Sequence, residues 1–175
     1  RSRYPDMPFS EIPHGKQSWY GPIGGIWQSV WLEQRAAVHL RSLRLLPQPA
    51  TGVIDITARL SNQQSLDRKG EAGPVAHALG SAGVTLTATV FDPAGQPVAE
   101  ATLDAGGRGQ VQLPAPPALW SPDAPNLYRV RVALTGAGGE QDSLEDTCGF
   151  RTVESRDGRI YLNGAPIYLR GALDQ

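Results

Sequence analysis

Apolar residues recur at every second position in several short runs of this chain, and Gly, Pro, Asn and Asp punctuate the gaps between them. A period of two puts one side of a strand on a core and the other in water. In VIDITARL, Ile54, Ile56, Ala58 and Leu60 share a face opposite Asp55, Thr57 and Arg59. VTLTATVF sets Val84, Leu86, Ala88 and Val90 against three threonines, and LYRVRVAL sets Tyr128, Val130, Val132 and Leu134 against Arg129 and Arg131. The run VHLRSLRLLP begins with Val38 and Leu40 and resumes at Leu43 and Leu45, so its parity changes at Ser42, which predicts a bulge. A strand is also predicted from Ile26 to Glu33, with Val30 and Leu32 on one face and Trp31 on the other.

Weaker runs predict strands around Ala99 to Leu103 and Gly109 to Leu113, and DSLEDTCGFRTVES offers Leu144, Cys148 and Phe150 to a core. Asn163-Gly164 between two apolar runs is a hairpin signal, and Asp157 in SRDGR reads as a turn residue. Residues 1–19 show no period and read as an extended arm; residues 62–81 read as a mobile loop or an insertion. From Val38 to Cys148 this makes about seven short strands. The expected fold is all-β, an immunoglobulin-like antiparallel β-sandwich, a class that averages about 100 residues. Tyr128 stands where the tyrosine corner of such domains falls, and ordinary core packing is an equal reading of it.

Composition supports frequent turns: the 175 residues include 20 glycines and 15 prolines, a fifth of the chain. The net charge of -1, from 16 basic and 17 acidic residues, supplies no field to draw nucleic acid or an anionic membrane surface. No apolar run approaches the roughly 18 residues of a membrane span. With Cys148 as the lone cysteine, no internal disulfide can form, and the fold rests on its core. None of this assigns a compartment.

Candidate chemistry is sparse. GPIGG at residues 21–25 lacks the Lys-Ser or Lys-Thr pair and the following helix that a phosphate loop needs, so a structural turn is the better reading. His14, His39 and His77 are too dispersed for a shared metal site, and no metal or cofactor is expected. Cys148, at an apolar parity position, reads as buried core. No G-x-S-x-G elbow is present. Glu145 and Asp146 are neighbours in a strand and point apart, which rules them out as the facing carboxylates of a glycosidase. Trp19, Trp27 and Trp31 cluster within thirteen residues. Exposed in a row, they would stack on sugar rings; the favoured reading is burial at an interface.

Three stretches carry a family resemblance in their order along the chain. IPHGKQSWYGPIGGIWQSVWLEQ resembles the closing segment of the sugar-binding domain of glycoside hydrolase family 2, the group of β-galactosidases, β-glucuronidases and β-mannosidases. LWSPDAPNLYRVRVAL resembles the late strands of that family's immunoglobulin-like second domain. GFRTVESRDGRIYLNGAPIYLRGALDQ resembles the crossing into the first strand of the catalytic (β/α) barrel. The resemblance implies residues 1–35 as the remnant of a jelly roll, 36–150 as the sandwich, and 151–175 as a linker hairpin with the first barrel strand. It also implies a retaining mechanism whose two catalytic glutamates lie further along the barrel, leaving this chain a non-catalytic spacer. Its partners would be the neighbouring domains, and carbohydrate would be met only through the full enzyme. Asp174 and Gln175 fall at the end of the barrel strand, where substrate contacts gather, although many relatives carry Asn or His there. An autonomous carbohydrate-binding module on the tryptophan cluster and a plain interaction sandwich are the competing expectations. A shortened first domain would also leave apolar surface around Ile26, Trp27 and Trp31 open.

Overall fold

The computed structural model describes residue 26, residues 28–61 and residues 83–171. Two compact units divide the chain, one of Arg35–Tyr168 and the other of Arg1–Gln34 with Leu169–Gln175. The larger unit is built wholly from strands and turns among its described residues: β1 (Leu40–Gln48), β2 (Val53–Leu60), β3 (Thr85–Phe91), β4 (Pro97–Leu103), β5 (Arg108–Gln112), β6 (Tyr128–Gly136), β7 (Gly139–Cys148), β8 (Val153–Arg156), β9 (Arg159–Leu162) and β10 (Ala165–Ile167).

The first seven strands form the expected sandwich. One sheet has the order β1-β2-β5 and the other β4-β3-β6-β7, all antiparallel. Sequence alternation decides which side chains enter the space between them. Ile54, Ile56, Ala58 and Leu60 from one sheet, and Leu86, Ala88, Val90, Val130, Val132 and Leu134 from the other, are all buried. Val84, Leu43, Leu45 and Leu144 pack at its margin. The predicted bulge is present: the β1–β2 register shifts between Leu40 and Ser42, which lets Leu40 and then Leu43 and Leu45 face the same core. Pro97 opens the edge strand β4, a place where its missing N–H breaks no ladder.

The chain changes sheets between β4 and β5 through a turn organised by Asp104, whose Oδ1 accepts from the amides of Gly106 and Arg108, both at 2.8 Å. Gly107 has φ +76°, and a Cβ there would lie 2.1 Å from the Ala58 carbonyl oxygen, so only glycine fits the approach to β2.

The last three strands make a separate small sheet, β10-β9-β8. Both of its turns have two residues at positive φ, Asp157 with Gly158 (50° and 68°) and Asn163 with Gly164 (52° and 80°). This is the geometry that Asp-Gly and Asn-Gly favour in tight hairpins.

In the smaller unit one expectation fails. Residues 26 and 28–33 form no strand. Alternation supplies a face, but a strand also needs a neighbour for its N–H and C=O groups, and no described strand pairs with this stretch. Ile26, Val30, Trp31 and Leu32 are exposed, Leu32 completely. Trp19, Trp27, the arm of residues 1–19 and the loop or insertion of residues 62–81 lie outside the described residues.

Candidate functional site

Among the described residues the side chains that carry chemistry do not converge on a cleft. Glu145 is bound to Arg129 at 2.8 Å and lies 3.7 Å from Arg131. Asp146 accepts the Thr147 amide at 2.8 Å. The two carboxylates therefore serve different partners, as neighbours on a strand must. Glu140 takes Arg131 at 2.5 Å; that hydrogen bond holds the Glu140 carboxyl below its usual range and raises the Arg131 guanidinium. On the other sheet, Asp55 accepts from Gln110 at 2.7 Å and Gln48 at 2.5 Å, which lowers its carboxyl. These are solvated cross-strand pairs. No group of three His, Cys, Asp or Glu able to hold a metal occurs among the described residues. His39 donates from Nδ1 to the Ala36 carbonyl at 2.8 Å. Cys148 is buried, and desolvation, with the charge of Asp146 second, pushes its thiol up to about 11.

What the sequence does build with care is the two ends of the sandwich. At the start, Ser61 clasps the approach to β1: its hydroxyl donates to the Ala37 carbonyl at 2.8 Å, and its amide donates to the His39 carbonyl at 2.9 Å. Leu40, at the bulge, donates its buried amide across the sandwich to Asp142 Oδ2 on β7 at 2.7 Å.

The far end is more elaborate. Tyr128 is buried, its ring meets Phe150 edge-on at 5.1 Å, and its hydroxyl accepts the Ala118 amide ten residues upstream at 3.0 Å. That is the tyrosine-corner arrangement. The same PAPPALWSPDAPN segment pairs with the chain just past β7: Leu119 makes an isolated parallel bridge with Phe150, and the Trp120 amide donates to the Phe150 carbonyl at 2.8 Å. Asn126 Nδ2 donates to the Leu119 carbonyl at 2.9 Å. Gly149 lets Trp120 lie against the backbone, for a Cβ there would stand 2.9 Å from Trp120 Cβ. The Arg151 guanidinium covers the indole at 4.6 Å.

Asn163 joins the small sheet to this cluster. Its Nδ2 donates to the Trp120 carbonyl at 3.0 Å, its Oδ1 accepts the Thr152 amide at 3.0 Å, and its own amide donates to the Thr152 carbonyl at 3.0 Å. The hairpin is thus latched to the sandwich by one side chain in its second turn. The Asn-Gly signal in the sequence located the turn; nothing local indicated that the amide would reach a residue 43 positions away. Of the sequence candidates, Asp174 and Gln175 lie outside the described residues, as do Trp19 and Trp27. Trp31 is 72% exposed, in keeping with the open apolar surface expected around it, and any interface that would bury its indole lies outside the described residues.

Comparison with known proteins places this architecture. The profile described as glycosyl hydrolases family 2 matches residues 38–151, from just before β1 to just past the end of β7. The chain belongs to that family. A protein of Formosa agariphila provisionally named a beta-glucuronidase is 32% identical over 164 residues, covering 91% of this chain and 18% of its own length. A beta-galactosidase of Lactobacillus delbrueckii subsp. bulgaricus is 32% identical over 153 residues, covering 86% of this chain and 14% of its own. Among solved structures, a β-glucuronidase from Ruminococcus gnavus in complex with D-glucuronic acid matches at TM-score 0.55 and 20% identity, over 77% of this chain and 20% of that one. This last likeness speaks for the fold. The chain spans less than a quarter of the length of these relatives.

Proposed function

We propose that this chain is the non-catalytic joint of a family 2 glycoside hydrolase. The observation that carries the reading is the Asn163 latch, which fixes the β8–β10 hairpin to the sandwich through the Trp120 carbonyl and the Thr152 amide. A domain whose task is to set the position of its neighbours needs its connecting segments held at the point of departure, and both ends of the sandwich are held. In this reading residues 1–35 close a jelly roll, 36–150 are the sandwich, and 151–175 lead into the first strand of a (β/α) barrel. The complete enzyme would cleave β-glycosides by a retaining mechanism, with two glutamates that this segment does not carry. Asp174 and Gln175 would border the substrate there.

The test is direct. The isolated chain, offered chromogenic β-galactoside, β-glucuronide and β-mannoside, is expected to release no chromophore above buffer. Release that scales with protein concentration would end the proposal. The exposure of Trp31 favours a second reading, a carbohydrate-binding module with the tryptophan cluster as its platform. Calorimetry against simple sugars and polysaccharides separates the two: the joint gives no saturable heat, the module gives a binding isotherm that Trp31→Ala weakens.

A further inference from the structure

Asn163 is the only amide side chain between residues 151 and 171, and it is committed at both atoms, Nδ2 to the Trp120 carbonyl and Oδ1 to the Thr152 amide. It is also followed by Gly164, an exposed residue with no side chain to obstruct an approach of its nitrogen to the amide carbon. Asparagine is among the thermally labile residues. We propose that Asn163 is a deamidation site, restrained by its own hydrogen bonds, whose conversion unfastens the hairpin from the sandwich.

The chemistry needs only water. The Gly164 nitrogen bonds to Asn163 Cγ, the Cγ–Nδ2 bond breaks, and Nδ2 departs as ammonia with the proton released from the Gly164 amide. Water then opens the cyclic imide at either carbonyl, leaving aspartate or isoaspartate. While the latch is closed, the two hydrogen bonds pin both substituents of Cγ, and the carbon cannot turn toward the Gly164 nitrogen. Opening the latch frees it. The product cannot close the latch again, because the atom that donated to the Trp120 carbonyl has become an acceptor facing an acceptor. Isoaspartate further lengthens the backbone of a two-residue turn and destroys the Leu162–Ala165 register.

The site is convenient to follow, since trypsin releases it in a peptide, residues 160–170, that contains no other Asn or Gln. The chain is incubated at mildly alkaline pH, folded and in urea, and the aspartate and isoaspartate forms of that peptide are quantified over time. Conversion is expected about thirtyfold more slowly in the folded chain, the factor that two hydrogen bonds together worth about 2 kcal/mol impose at about 1.4 kcal/mol per decade. In Asn163→Asp, which keeps an acceptor for the Thr152 amide and loses the donor to the Trp120 carbonyl, hydrogen exchange at the amides of the β8–β10 sheet should quicken while the amides of β3 and β6 keep their protection. Equal conversion rates in the two conditions, no conversion in either, or unchanged exchange in the β8–β10 sheet of the variant would overturn the proposal.

Discussion

Cys148 shows how a single position couples sequence parity to an observable. It sits at the core-facing end of β7 opposite Tyr128, 8% exposed, and its thiol is pushed up to about 11 from 9.0, first by desolvation and then by the charge of Asp146. Burial disfavours the thiolate, so the folded state holds its proton more tightly than the unfolded chain. The resulting stability is fully present below about pH 9 and is lost as pH rises through about 11. Urea denaturation of the wild type and Cys148→Ala at pH 8 and at pH 11 measures it. The wild type should lose more stability than the variant over that interval; equal losses would mean that the thiol is not desolvated. The same burial predicts slow reaction with thiol reagents at pH 8 and fast reaction once the chain is unfolded.

At the scale of elements, the sandwich edge between β1 and β7 depends on one long-range hydrogen bond. Leu40 is fully buried, and its amide has Asp142 Oδ2 as acceptor. Asp142→Ala should therefore cost about 1–3 kcal/mol in chemical denaturation, the range for a buried donor left without a partner. Asp142→Asn, which keeps an acceptor oxygen, should recover most of it. A variant pair of equal stability would show that the edge is closed by packing alone. This bond was not legible in the sequence, because 102 residues separate its ends. What was legible is what parity controls: the core faces of β2, β3 and β6, the bulge before Ser42, and the Asn-Gly turn, since each is written within a few adjacent residues. Parity also overreached. It predicted a strand from Ile26 to Glu33 because alternation records a face and is silent about the neighbour a ladder requires. The Asn163 latch falls between these cases: its turn was readable, whereas its grip on Trp120 depends on how the proline-rich segment crosses back over β7's continuation at Phe150.

For the whole molecule, two properties combine that act in the same direction. Ile26, Val30, Trp31 and Leu32 present large apolar side chains to solvent, all at least 72% exposed. Large apolar side chains exposed this close together in sequence favour binding to another surface. The net charge of -1 provides almost no repulsion between copies. An isolated chain should therefore associate as its concentration rises, which sedimentation velocity will show as a concentration-dependent increase in weight-average mass. Replacing Trp31 and Leu32 together with serine removes two of the largest exposed side chains and should raise the apparent dissociation constant by at least about tenfold. Salt should strengthen the association slightly or leave it unchanged, because the driving term is apolar and not coulombic. A wild type that stays monodisperse across the whole concentration range would show that these side chains find cover within the chain in solution.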